Sequence, residues 1–127
     1  RSIVVDRYYA STMSYIHGKT NIDEPVPDSS DTIFSWPVEL YKPDFMFVLV
    51  LPETDRVARR ASRVTVAENA EEKMLRENPR ICERINAMYA RFGCTVVNIT
   101  ATESVDEVAG KLYGLIVAAQ AQKSKNL

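Results

Sequence analysis

Two stretches of the sequence carry charged groups of the kind that act on phosphates. The first is Asp6-Arg7-Tyr8, directly after the apolar run Ile3-Val4-Val5. A carboxylate at the end of an apolar strand can hold a magnesium ion through water while the metal bridges nucleotide phosphates. The guanidinium beside it offers a planar fork suited to a phosphate's paired oxygens, which lysine cannot copy. The same residues also fit a plainer arrangement, with Asp6 capping the following helix and paired with Arg7. The second stretch is RVARRASR, with Arg56, Arg59, Arg60 and Arg63 close together. On a helix Arg56 and Arg60, and likewise Arg59 and Arg63, are i,i+4 neighbours, and each like-charge pair costs roughly 0.2 to 0.5 kcal/mol unless something anionic lies near. Polyphosphate removes that repulsion. So do Glu68, Glu71 and Glu72 downstream, as part of a charge-laced solvent face.

Other candidates carry less. His17, the only histidine, precedes a helix end and reads as a helix-end residue before it reads as a catalytic base. Trp36, with Phe34 and Tyr41, either lines a base pocket or anchors a long loop to the core. The formal net charge of −1 gives no general pull toward nucleic acid or an anionic membrane, so any anion site must be local. Cys82 and Cys94 are too few and too far apart for a disulfide framework or a metal cluster. No apolar stretch approaches the roughly 20 residues needed to cross a bilayer.

The elements that position these groups follow from apolar periodicity. Ile3–Val5, Phe45–Leu51 and Cys94–Thr100 are continuously apolar or nearly so, the habit of parallel strands buried on both faces. Ser11–Gly18 reads as a helix stopped by Gly18. Residues 20–35 form a polar loop. A helix runs from Pro52 through Arg63, and a second helical region from about Asn69 to Phe92 carries Ile81, Ile85, Met88, Tyr89 and Phe92 as one stripe. Pro79, with Asn78 before it, is either a kink or a fresh start. Ser104 and Glu107 fit a capping box that opens the last helix, with Val105, Val108, Leu112, Leu115, Ile116 and Ala119 on one face and QKSKNL as a polar tail. At 127 residues this is one α/β domain built on a parallel sheet wrapped by helices. In such sheets ligands bind beyond the carboxyl ends of the strands.

VVDRYYASTMSY, followed by KPDFMFVLVLPETDRVARR and then VVNITATESVDEV, resembles the thymidylate kinase family of nucleoside monophosphate kinases in the family's order over nearly the whole chain. Deoxynucleoside kinases share the general fold but carry Glu-Arg-Ser where this chain has Asp6, Arg7 and Tyr8. WPVELYKPD and the loop before it look most like the mitochondrial UMP-CMP kinase branch. The resemblance implies a three-layer P-loop-type α/β fold and ATP-dependent, Mg2+-supported phosphoryl transfer to a pyrimidine nucleoside monophosphate.

It also implies residue roles. Arg7 falls on the acceptor's phosphate, with Asp6 near the magnesium and the acceptor sugar. Tyr8, Ser11 and Tyr15 fall in the acceptor pocket. Arg59 and Arg63 fall at the start of a mobile lid (about residues 56–72), where they neutralise the transferring phosphoryl group. Thr100, Ala101, Thr102 and Glu103 lie near the adenine. Such phosphoryl transfer is catalysed mostly by positioning and cationic stabilisation. A homodimer and a mitochondrial, otherwise cytoplasmic, location come with the resemblance.

Two departures stand out. Val64, Thr65 and Val66 follow Arg63 where the family has a glycine beside the lid arginine. No GxxxxGK[ST] occurs in the sequence, and that loop cradles the ATP phosphates with backbone amides. The chain begins at Arg1 rather than Met, so the expectation is a domain incomplete at its amino end, inactive alone, with exposed strand edges that favour aggregation. A scaffold that lost catalysis and binds a nucleotide or a partner is the alternative.

Overall fold

A computed structural model describes residues 2–20, 22–62 and 69–125. In chain order these form α1 (Tyr9–Lys19), a 3-10 turn (Thr32–Phe34), β1 (Phe47–Val50), α2 (Glu53–Ser62), α3 (Ala70–Glu77), α4 (Pro79–Arg91), β2 (Thr95–Asn98) and α5 (Val105–Lys125). Arg63 and the lid residues that follow it, through Glu68, lie outside the described residues. The chain divides into two compact units, Arg1–Asp44 with Glu68–Cys94, and Phe45–Ala67 with Thr95–Leu127.

The first unit is helical, with α1 packed on α4 and α3 leaning on α4 as well. The face that α1 buries is made of small residues, Ala10, Ser11, Ser14 and Gly18, while Ile16 is exposed. Small side chains let the backbone of α1 approach α4, whose buried Ile81, Ile85, Met88 and Phe92 fill the space. Gly18 is therefore not a stop signal. It sits inside the helix against Ile85, where an added Cβ meets Ile85 Cγ1 at 2.4 Å, and the cap is Thr20. Pro79 starts a new helix: Asn78 ends α3, and its amide donates back to the Met74 carbonyl. Asn69 and Glu72 close a reciprocal capping box at the head of α3.

Three arginines on the outer side of α4 tie the polar loop down. Arg84 donates to the carbonyls of His17, Thr20 and Glu24, Arg80 to Ile22 and to Asp23, and Arg91 to Val26 and Pro27. A loop with few apolar side chains is thus held by charge-assisted hydrogen bonds to its own backbone. Gly93, at φ 87°, ends α4 in the left-handed conformation that glycine adopts without cost.

The second unit is built on β1 and β2, paired in parallel with Phe47 opposite Thr95 and Val50 opposite Asn98. Val97 and Ile99 are its buried apolar residues, while Leu49 and Val96 stay exposed, so the strands are not covered on both faces as their composition suggests. Along α5, Val108, Leu112, Ile116 and Ala119 are half-covered, but Val105 is 85% exposed and Leu115 is exposed as well. The Ser104 hydroxyl accepts from the Glu107 amide, giving α5 its cap. The polar tail stays helical through Lys125, because lysine, glutamine and alanine are good helix formers and cations suit a helix C-terminus.

The expected first strand does not form. Ile3, Val4 and Val5 are exposed, Val4 at 96%, and among the described residues the sheet has two strands rather than three. A strand exists only by hydrogen bonding to a neighbour, and these residues have none here.

Candidate functional site

Asp6, Arg7, Tyr8, Ser11 and Tyr15 lie in the first unit. The chain enters α1 through Arg7, whose backbone sits at φ 64°. For a residue that carries a Cβ this left-handed conformation is strained by about 1 to 2 kcal/mol, and such strain collects at functional sites. Tyr8 follows as the N-cap without a side-chain cap bond, its extended backbone passing the chain into the helix. The Arg7 guanidinium lies 5.2 Å from the centre of the Tyr15 ring, a cation–π arrangement, and Lys19 Nζ lies 5.6 Å from the same centre.

Glu71, at the start of α3, closes the group. Its Oε1 is 3.1 Å from Arg7 Nη1, and the Tyr15 phenol donates to its carboxylate. Burial pushes the Tyr15 phenol up to about 12, with the Glu71 hydrogen bond adding to it. Burial acts to raise Glu71 too, but the bonds from Arg7 and Tyr15 outweigh it and hold the carboxyl below the usual range. The same bond raises Arg7.

Ser11 is buried, and its hydroxyl accepts from Tyr89 at 2.9 Å. Tyr8 packs half-buried against Trp36 with ring centres 5.7 Å apart. Trp36 stands edge-on to Tyr9 and donates from Nε1 to the Leu40 carbonyl, while Phe34 meets Phe92. Of the two readings of Trp36, loop anchoring is the one its partners fit. Asp6 is exposed, and no group of three or more His, Cys, Asp or Glu converges among the described residues.

The second unit holds the other set. Arg59 Nη2 donates to the carbonyls of Thr100 (3.1 Å) and Glu103 (2.9 Å). One turn earlier on α2, Asp55 accepts from the Ala101 amide at 3.1 Å. Helix α2 thus grips the loop after β2 with a carboxylate and a guanidinium placed i,i+4 on one face. Within that loop Thr100 and Thr102 hydroxyls are 3.1 Å apart, and the Glu103 carboxylate accepts from the Thr100 amide and meets Lys111. The Lys111 bond holds Glu103 below the usual carboxylate range.

Within the arginine run, Glu53 pairs with Arg56 at 3.2 Å and with Arg60 at 3.3 Å. Of the glutamates expected for that work, Glu71 serves Arg7 and Glu72 serves the α3 cap. Sequence reasoning missed Asp55 and Glu71 as site members. Asp55 had a signal in its i,i+4 spacing from Arg59. Glu71 had none, since 64 residues separate it from Arg7.

Two parallel strands with helices around them fit an α/β protein. The family model for thymidylate kinase matches residues 1–112, and the chain belongs to that family. The family has a P-loop α/β fold, and its members are nucleotide kinases that bind ATP and a nucleoside monophosphate and typically use Mg2+. No curated protein and no solved structure matches the chain.

Proposed function

We propose that these residues carry the acceptor side and the adenine side of an ATP-dependent kinase acting on a pyrimidine nucleoside monophosphate (UMP, CMP, dUMP or dTMP), of the mitochondrial UMP-CMP kinase 2 type. Arg7 is the observation that carries the reading: a strained backbone presents its guanidinium beside Tyr15, already bound to an anionic carboxylate. In this reading Arg7 holds the acceptor's phosphate, Tyr15 and Tyr8 border the nucleoside, and the loop Thr100–Glu103 lies by the adenine. Ser11 serves that pocket through Tyr89. An oxygen of the acceptor's phosphate attacks the γ-phosphorus of ATP, that P–O bond forms, the bond to the β-phosphate oxygen breaks, and ADP leaves. Magnesium, when bound near Asp6, neutralises phosphate charge.

Arg59 enters with a changed role. Its Nη2 is on the loop carbonyls, so it shapes the adenine loop, and charge neutralisation at the lid falls to Arg63. The fold reading extends to a third layer and further strands, which a P-loop segment beside the exposed sheet would supply.

The test is a coupled ATP-consumption assay on a protein in which GxxxxGK[ST] precedes these residues, with CMP, UMP, dUMP and dTMP as acceptors and Arg7→Ala as control. Turnover that collapses in the variant supports the kinase. Binding of a monophosphate with no turnover moves the conclusion to a non-catalytic nucleotide-binding scaffold.

A further inference from the structure

We infer that Glu71 is a stand-in for the acceptor's phosphate: its carboxylate occupies the Arg7 guanidinium and is displaced when a phosphate arrives. The inference rests on the reading of Arg7 as the phosphate-binding residue. A carboxylate presents two oxygens in the same planar spacing that suits a guanidinium fork, so it is the side chain that most closely copies a phosphate edge. Glu71 makes that substitution here. It meets Arg7 through Oε1 at 3.1 Å and Oε2 at 3.4 Å from the one Nη1, and it takes the Tyr15 hydroxyl as well.

The ion pair is suited to being given up. The Arg7 side chain is 59% exposed and that of Glu71 32%, and the Glu71 Oε1 that meets Arg7 is covered from water without a well-aligned hydrogen bond to it. An exposed pair of this kind is weak, whereas a dianionic phosphate offers Arg7 more charge than a carboxylate does. Tyr15 is half-buried on α1, while Glu71 sits in the first turn of α3. The cationic groups facing this carboxylate are Arg7 and Lys19, and the neutral one is Tyr15; Tyr89 faces Arg7 and Tyr15. Two cations and one resident carboxylate leave the cluster with one positive charge before the phosphate binds. Removing Glu71 therefore raises the attraction for a phosphate and does nothing for the nucleoside part.

The experiment is isothermal titration of the full chain with CMP and UMP, and separately with cytidine and uridine. It compares the wild type with Glu71→Gln, Glu71→Ala, Arg7→Ala and the Arg7→Ala/Glu71→Gln double variant, each checked for fold by amide NMR spectra. Expected is about two- to fivefold tighter monophosphate binding in both Glu71 variants, the scale of an exposed ion pair. Nucleoside affinity stays unchanged, and the gain disappears in the double variant. If Arg7→Ala weakens monophosphate binding while the Glu71 variants match or fall below the wild type, the stand-in role is overturned and the Arg7 reading survives. If Arg7→Ala binds monophosphate as the wild type does, or if none of the proteins binds it, both fall. The Glu71→Ala variant guards against the glutamine amide taking the carboxylate's place.

Discussion

The two units hold their candidate residues in different ways. In the first, side chains gather over a packed helix pair: Met88 is 1% exposed, Ile85 sits on Gly18, and Arg7, Tyr15 and Glu71 converge from positions far apart in the chain. In the second, neither α2 nor α5 buries a residue, and what is ordered around the loop Thr100–Glu103 is ordered by hydrogen bonds from Asp55 and Arg59. Packing positions the first set and polar bonds the second. The lesson is that a short helix with little core of its own can still place a loop precisely, provided its carboxylate and guanidinium lie one turn apart.

That contrast can be broken most sharply at Met88. Met88→Ala should cost about 2 to 5 kcal/mol, the range for emptying a buried site of this size, whereas Leu112→Ala on the half-covered α5 should cost about 1 kcal/mol. Trp36, the only tryptophan, lies in the first unit, so its fluorescence in a urea titration reads the first loss; hydrogen exchange at the β2 amides reads the second. Equal costs at the two sites would end the distinction.

Gly18→Ala tests the close approach of α1 to α4. The new methyl meets Ile85 Cγ1, part of a stiff β-branched side chain, and overpacking of about 1 to 3 kcal/mol outweighs the helix-propensity gain of about 1 kcal/mol. The same substitution at Gly110 meets open space and should stabilise α5 instead. A stabilised Gly18→Ala protein, by the same tryptophan titration, would show that the helices can part at no cost.

A smaller effect is expected at Arg59. Arg59→Ala removes two bonds to loop carbonyls, one open to water and one part-buried, a cost of about 1 kcal/mol. It should speed amide exchange across Thr100–Glu103 and leave exchange in α1 as it was. Unchanged exchange in the loop would mean that Asp55 alone holds it.

The smallest effect is a pH window. The folded pKa of Tyr15 is raised to about 12 from an ordinary value near 10, so the folded state keeps the proton longer. Its contribution to stability is complete below about pH 10 and is lost as the pH rises through about 12. Absorbance at 295 nm should show one of the six tyrosines ionising late, and Tyr15→Phe should remove that step. Glu71 has the opposite sign: its depressed pKa gives stability above the ordinary carboxylate range that is lost as the pH falls through the depressed value.

Much of the fold was legible in the chain because local chemistry decides it. The stripe Ile81, Ile85, Met88 and Phe92 has helical period and is buried as one face. The apolar runs after Lys42-Pro43-Asp44 and at Cys94–Thr100 contain β1 and β2, and Ser104 caps α5. Pro79 could not be resolved from spacing, since a kink and a new start share the same residues.

What the residues by themselves determined, then, were element types, their order and the chemical identity of the candidate groups, all of which depend on neighbours within a few positions. Tertiary structure alone decided the rest. That α1 turns its small face inward depends on the shape of α4, not on its own hydrophobicity. That Ile3–Val5 is no strand depends on whether another strand lies beside it. That Glu71 serves Arg7 rather than the nearer arginine run, and that Arg59 binds a loop 41 residues on, are matters of where folded segments meet. Hydrogen bonds and ion pairs act over a few ångströms in space, and spacing along a chain reports such distances only within one helix or one turn.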